Sequence, residues 1–440
     1  MRRLAKLALV AFLIFSSGLL YDAYRDRAVS QAGYAHLRPG YGPKTFAAAV
    51  ARTQADVEAA REDYETAPGE WLRGEILARA LIAKWRLTGN YDDLAEADAV
   101  IDQGLRLAPK GSGPLLERAA LSVLLHRLGQ AEIAIEQISE AVMPDSADTA
   151  DAKNLSGDIS LQRGKLDLAQ RRFEEASALV GAKEASVRSA MLEAYRGHHA
   201  KAASMLDALL VRPGQQAGPL ADLLLLRTNI AYMVGDWETA NRHINEARRI
   251  YPGYWLADAY AAQQLALKGD RRSAAAAYRG IAQRTERPEV MDALAHLLRL
   301  MGDGAGSRVW SGRAASAWHA RAALFPEAVA HHLAEHELTV GSAHLALPYA
   351  RLDAVARPQA TNLVLYARVL LSVGDASAAR AVLDRADAQG WVSAGQYLAR
   401  AQAAAAVGDL EGYREAIAKA EGINPRSTDP RSQMIWFGHD

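Results

Sequence analysis

The chain of 440 residues contains no cysteine. That excludes disulfides, thiol chemistry, cysteine-based metal sites and a lipoprotein cysteine. It also lacks an excess of charge of either sign, with 51 Lys and Arg against 51 Asp and Glu. A nucleic-acid-binding domain would show a basic surplus, so that class is set aside. Alternating apolar and polar runs of the strand kind are scarce. No glycine-rich phosphate loop follows a strand, and no Gly-x-Ser-x-Gly elbow is present. Gly302, Gly304 and Gly306 fall in a helix–helix turn, which is a poor phosphate cradle. Nothing in the sequence asks for a cofactor, and an enzyme is not expected.

What the chain does have is a glycine at nearly one spacing: Gly89, Gly129, Gly164, Gly197, Gly235, Gly269, Gly302, Gly341, Gly374 and Gly408. A period near 34 residues marks a helical-repeat solenoid. Around Gly235 the pattern is clearest: Val234-Gly235-Asp236-Trp237-Glu238-Thr239-Ala240 leads to Ile244, Ala247 and Pro252. Gly164 repeats it with Ala169, Phe173 and Ala176, and Gly408 with Tyr413, Ile417, Ala420 and Pro425. Glycine accepts the left-handed backbone that ends a helix. The following Asp236, Asp270, Asp303, Asp375 and Asp409 are suited to cap the next helix. The small residue five positions on allows close helix approach, and the apolar residues after it form one helical stripe. Proline then blocks continuation. The first unit has a longer turn, and the seventh carries Ser307 at the alanine position and extra residues up to Phe325-Pro326.

These residues resemble the tetratricopeptide repeat. The resemblance covers about residues 70–425 as ten units and implies an all-α fold, a right-handed α-solenoid of helix–turn–helix repeats. Half of the residues are apolar, which suits one continuous core along such a chain. The expected organisation is a signal anchor or signal peptide over residues 1–21, a linker and capping helix over 22–69, the solenoid over 70–425 and a tail over 426–440. The tail residues Met434, Ile435, Trp436 and Phe437 are expected to fold back over the last helix pair. Pairs such as Arg171-Arg172, Arg248-Arg249 and Arg271-Arg272 read as solvated helix faces.

The start is basic at Arg2, Arg3 and Lys6, and Leu7 to Phe15 is unbroken apolar sequence. This reads as an export or anchoring segment. No Ala-x-Ala site follows, and Leu4 to Tyr21 nearly reaches the length that spans a bilayer, which favours an anchor. The solenoid would then face the periplasm from the inner membrane, or lie free in the periplasm if the segment is cleaved.

The resemblance also implies a groove. In tetratricopeptide proteins the first helix of each unit lines the concave face, at positions 13, 10, 6, 3 and 2 residues before the terminal glycine. Carried onto this chain, the groove residues are Asn154, Asp158, Asn229, Tyr232, Gln263, His296, Arg299, His331 and Arg368, with Asp151, Gln162, Asp222, Met233, Glu289, Asp292, Glu335 and Thr361 beside them. Asn229 matches the asparagine that clamps a ligand backbone in many family members. The basic partners of a carboxylate clamp are missing around it. The implied function is a non-enzymatic adaptor of the bacterial envelope, holding a protein or peptide partner. One motif points elsewhere: His332-x-x-Glu335-His336 has the form of an inverted zincin. On a helix the two histidines are one turn apart and suit one Zn²⁺, with Glu335 as general base and Glu411 or Glu415 as a third ligand. The alternative is therefore a zinc-dependent hydrolase.

Overall fold

The computed structural model describes residues 37–140, 146–181 and 186–438. The apolar segment Leu4 to Tyr21 lies outside them. Among the described residues no helix is long and apolar enough to cross a membrane.

Helix α1 (Phe46–Thr66) leads ten helix pairs. They are α2 (Trp71–Thr88) with α3 (Tyr91–Leu107), α4 (Leu115–Leu124) with α5 (Leu128–Ser139), α6 (Ser146–Gln162) with α7 (Leu166–Leu179), and α8 (Val187–Tyr195) with α9 (His199–Leu210). Next come α10 (Ala217–Met233) with α11 (Trp237–Ile250), α12 (Trp255–Leu267) with α13 (Arg271–Thr285), and α14 (Pro288–Leu300) with α15 (Gly304–Leu324). The last are α16 (Pro326–Val340) with α17 (Ala343–Ala356), α18 (Ala360–Ser372) with α19 (Ala376–Asp387), and α20 (Ala394–Ala406) with α21 (Leu410–Ile423). Among the described residues there is no strand, only one isolated bridge between Tyr41 and Gln216. The fold is an all-α, tetratricopeptide-like solenoid.

The turns work as the residues require. Eight of the ten glycines take φ between +70° and +94° at the end of a first helix. In seven of these turns the residue after the glycine donates its N–H to a carbonyl five residues back, as Asp236 does to Ala231 at 2.8 Å. Each of the five aspartates then caps its helix: Asp236 accepts from Thr239, Asp270 from Ser273, Asp303 from Gly306, Asp375 from Ala378 and Asp409 from Gly412. Two glycines depart from the expected register. Gly129 lies inside α5, and His126 takes the left-handed conformation at φ +61°. Gly341 has φ −111°, and the Glu337 carboxylate closes that turn by accepting from the N–H of Ser342 at 3.1 Å.

Units far apart in sequence share core. One buried cluster joins Leu166, Phe173 and Leu192 to Leu363, Leu383 and Trp391. Another joins Leu77, Leu94 and Leu121 to Phe325. The largest runs from Ala190 to Leu333 and takes in Leu37 and Ala49 from one end and Met434 and Phe437 from the other. The superhelix therefore turns back onto itself. Residues 37–43, expected as linker, are part of this closure. Leu37 is buried, its carbonyl accepts from Arg249 at 3.0 Å, and the Gly40 N–H donates to Gln215 at 2.7 Å. Helix α1 packs on α2 as a cap, while Phe46 at its start rests on Tyr251 and Tyr254.

Ala240 is fully buried at the close approach within its pair. Replacement by leucine overpacks that contact, at a cost of ~1–3 kcal/mol. Urea denaturation of Ala240→Leu should show a lowered midpoint; an unchanged midpoint would contradict the pairing.

His243 on α11 is also buried, and burial first, then Arg227 and Arg242, pushes its pKa down to about 3. The unfolded chain takes up this proton near pH ~6.5 and the folded chain refuses it. The stability it lends is thus present above that pH and is lost as pH falls toward about 3, at up to ~1.4 kcal/mol per pH unit. Thermal melts of His243→Leu should show less acid sensitivity than the parent chain between about pH 6.5 and 4.5. Equal sensitivity would mean that the buried imidazole is not a source of it.

Candidate peptide groove

First helices from several units wall an open cavity of about 750 Å³. Tyr232 and Met233 come from α10, His296, Arg299 and Leu300 from α14, Glu335, Leu338 and Thr339 from α16, and Thr361, Val364 and Arg368 from α18. All sit 13, 10, 6, 3 or 2 residues before a repeat glycine. The helical period brings these offsets onto one side of each first helix. Arg299 and Arg368 are exposed, and Glu335 and Thr361 are half-buried.

The remaining wall combines residues of α8, α20 and α21, among them Tyr195, Gln396 and Ile417, with the chain's own tail. The tail does not cover the last helix pair, as its apolar residues led us to expect; it runs into the groove against the middle units. Asn424 donates from Nδ2 to the Tyr232 carbonyl at 3.2 Å, and Arg426 and Arg431 lie over the Trp237 ring at 4.5 and 5.0 Å. A 3-10 turn, Pro430–Met434, follows with Asp429 as its cap. The Gln433 carbonyl then meets His296 Nε2 at 2.7 Å. The next residues meet Gln263, which has no exposed surface. Its Oε1 accepts from the N–H of Trp436 at 2.7 Å and of Phe437 at 2.8 Å, and its Nε2 donates to the Phe437 carbonyl at 3.0 Å. The physical reason is plain. Burying Met434 and Phe437 takes main-chain groups out of water, and those groups need partners. The exposed surface of the last pair would not supply them, whereas Gln263 supplies both a donor and an acceptor.

Other groove candidates are committed elsewhere. Asp158 forms a two-pronged ion pair with Arg188, with Oδ2 2.8 Å from Nη2, and neither it nor half-buried Asn154 lines the cavity. Asn229 Oδ1 accepts from the Tyr260 hydroxyl at 2.5 Å. Tyr232, expected as an exposed aromatic anchor, is a core residue 3% exposed whose hydroxyl accepts from Gln264 at 2.9 Å. Burial raises its pKa, with Gln263 and Gln264 opposing the shift. His331 Nδ1 lies 3.0 Å from Asp353, whose carboxyl stays low against its burial because His331 and Arg357 flank it.

The zincin-like residues diverge. His336 Nδ1 meets buried Asp292 at 2.6 Å. Burial opposes charge on His336, but the carboxylate outweighs it and raises the pKa; burial likewise raises that of Asp292. His332 instead stacks on Trp318, with ring centres 4.8 Å apart, and burial lowers its pKa. Glu415 pairs with Lys419 at 2.7 Å. Among the described residues no group of three His, Asp or Glu side chains converges as a metal site. Sequence spacing gave a shared helical side but could not show that Asp292 and Trp318 claim the two rings.

No family profile matches the chain, and no curated protein matches it. Solved structures do show likeness. One is Cut9 in the APC/C Cut9–Hcn1 hetero-tetramer, with 13% identity, 83% of this chain and 75% of that chain covered, and a TM-score of 0.39. Yeast Tom70 has 13% identity, coverage of 88% and 91%, and a TM-score of 0.35. A Rap protein crystallised with Competence and Sporulation Factor has 14% identity, coverage of 73% and 98%, and a TM-score of 0.41. Superpositions this partial carry no weight for function, and the assignment to the class of tetratricopeptide-like solenoids stands on the turns and pairs described above.

Gln263→Ala leaves two N–H groups and one carbonyl of the tail without partners, each worth roughly 1–3 kcal/mol when buried. Trypsin should then cut after Arg431 faster than in the parent chain. An unchanged cleavage rate would show that the tail is not held by Gln263.

Proposed function

We propose that the protein is a non-enzymatic scaffold that holds an extended segment of a partner protein in the cavity between its first helices. One observation carries this reading: the groove already engages a stretch of polypeptide through main-chain hydrogen bonds, while an adjacent 750 Å³ stays open. That open part is edged by the exposed guanidiniums of Arg299 and Arg368 and by the half-buried Glu335 and Thr361. Such a mixture offers donors, acceptors and charge to a polar partner segment without being built around one reacting centre. The basic residues Arg2, Arg3 and Lys6 before an apolar run support a place on the periplasmic side of a bacterial membrane, anchored or exported. Envelope assembly, secretion or export is the setting such a scaffold would serve.

The test is capture of binding proteins from solubilised membranes by the parent chain and by Arg299→Ala with Arg368→Ala. Both positions are exposed, so the fold should survive. Each lost charge-assisted hydrogen bond is worth about 1.5–3 kcal/mol, so capture should fall by at least about tenfold. Capture that survives this pair but fails on charge reversal of the outer helices would move the site to the convex face.

A further inference from the structure

We propose that Gln263, Tyr260, Tyr278, His296 and Asn229 form an exchangeable peptide subsite. In this state it is filled by Gln433–Gly438 of the same chain, and it is open to a partner segment of the same chemistry, two adjacent bulky aromatic residues followed by glycine. The inference rests on the groove reading above and adds the sequence pattern that the groove reads and the element that guards it.

The subsite recognises polypeptide in two ways. The hydrogen bonds of Gln263 to the tail go to main-chain atoms, two successive N–H groups and a carbonyl, so it reads a bent stretch of backbone whatever its side chains. The side chains set the pattern. The Phe437 ring packs against Tyr260 and Tyr278, with centres 5.7 and 6.3 Å away. Trp436 lies against the His296 imidazole at 5.6 Å. At the next position only glycine fits. Gly438 has φ +75°, and a Cβ there would stand 2.3 Å from Asn229 Oδ1 and 2.9 Å from the Tyr260 hydroxyl. Asn229 is held in place by that same hydroxyl.

Exchange is argued from what surrounds the segment. A segment that served only as core would be packed on all sides, because interiors leave few voids larger than a water molecule. Here Trp436 and Gly438 border the 750 Å³ cavity on one side. On the other, Trp436, Phe437 and Gly438 border a second cavity of about 280 Å³, lined by Trp255, Glu289 and Trp318. The tail is a partition between two open spaces. A partner strand entering from the larger cavity meets Trp436 first and can replace it stepwise at Gln263.

The experiment uses the full chain and a fluorescein-labelled peptide spanning residues 429–440, read by fluorescence anisotropy. Phe437→Ala in the protein weakens the resident segment, so this variant should bind the peptide about tenfold or more tightly than the parent chain. Adding Gln263→Ala to that variant should remove binding, and a peptide carrying alanine in place of Gly438 should not bind. Gly438→Ala in the protein is a second way to loosen the tail without removing a core ring, and should raise affinity in the same direction. Circular dichroism and thermal melting establish that each variant is folded. A folded Phe437→Ala or Gly438→Ala chain that does not bind the peptide, or that binds it no better than the parent, overturns the proposal. So does binding that persists after Gln263→Ala. Should exchange fail while Arg299 and Arg368 still control partner capture, the scaffold reading stands and the tail is fixed structure.

Discussion

A helix leaves its last carbonyls without partners, and this chain uses those carbonyls to close its coil. Arg287 donates from Nη2 to the Leu87 carbonyl at 2.7 Å, at the end of α2. Arg321 reaches the Gly89 carbonyl at 3.4 Å. The Tyr195 carbonyl, which ends α8, accepts from the N–H of Val392 at 2.8 Å. The Tyr232 carbonyl in α10 accepts from Asn424 at 3.2 Å. Each contact joins residues about 190–230 apart in sequence, and each brings a donor to the negative end of a helix dipole. The two arginines also lie on aromatic faces, Arg287 over Trp255 at 4.1 Å and Arg321 over Tyr91 at 5.0 Å. An open solenoid would leave these helix ends to water. Here the next turn of the superhelix covers them, and the groove acquires its depth from that closure.

Four of the repeat glycines, Gly89, Gly164, Gly197 and Gly235, therefore serve twice. Their left-handed backbone ends the helix, and their missing side chain lets the next turn approach. A Cβ on Gly89 would stand 2.7 Å from Arg287, on Gly164 2.3 Å from Gln389, and on Gly235 2.3 Å from Asn424. The first use was legible in the sequence, because a left-handed cap followed by aspartate has a local cause. The second was not, because it depends on residues about two hundred positions away and no period announces them. The same division explains the two glycines out of register. Gly129 and Gly341 keep the spacing, but His126 and Glu337 close those turns by interactions that the spacing does not encode.

The site divides in the same way. The helical period puts those offsets on one side of each first helix and the resemblance implied that this side faces inward, so His296, Arg299 and Arg368 could be placed beside the cavity from sequence. What each inward side chain binds is a tertiary matter. Tyr232 is taken by core packing, Asp158 by Arg188 and Asp292 by His336, each through a neighbour on another helix. Gln263 was identified as an inward residue, but not as the holder of the tail. The signal for that was present in part: a buried amide on an otherwise apolar helix face needs a polar partner, and an apolar tail with proline breaks needs a place to dock. Nothing local pairs the two.

The most direct test of the closed coil is a comparison of glycine-to-alanine substitutions that share one backbone strain and differ in what lies beyond it. Gly164 and Gly235 face the next turn, whereas a Cβ on Gly302 or Gly374 meets no atom within 4 Å. All four have positive φ, so each alanine carries the same left-handed penalty of roughly 1–2 kcal/mol. Unfolding free energies measured in urea should fall further for Gly164→Ala and Gly235→Ala than for Gly302→Ala and Gly374→Ala, by about the 1–3 kcal/mol of an overpacked contact. Equal losses at all four positions would mean that the turns of the superhelix do not touch at the repeat glycines, and the closed coil would be contradicted.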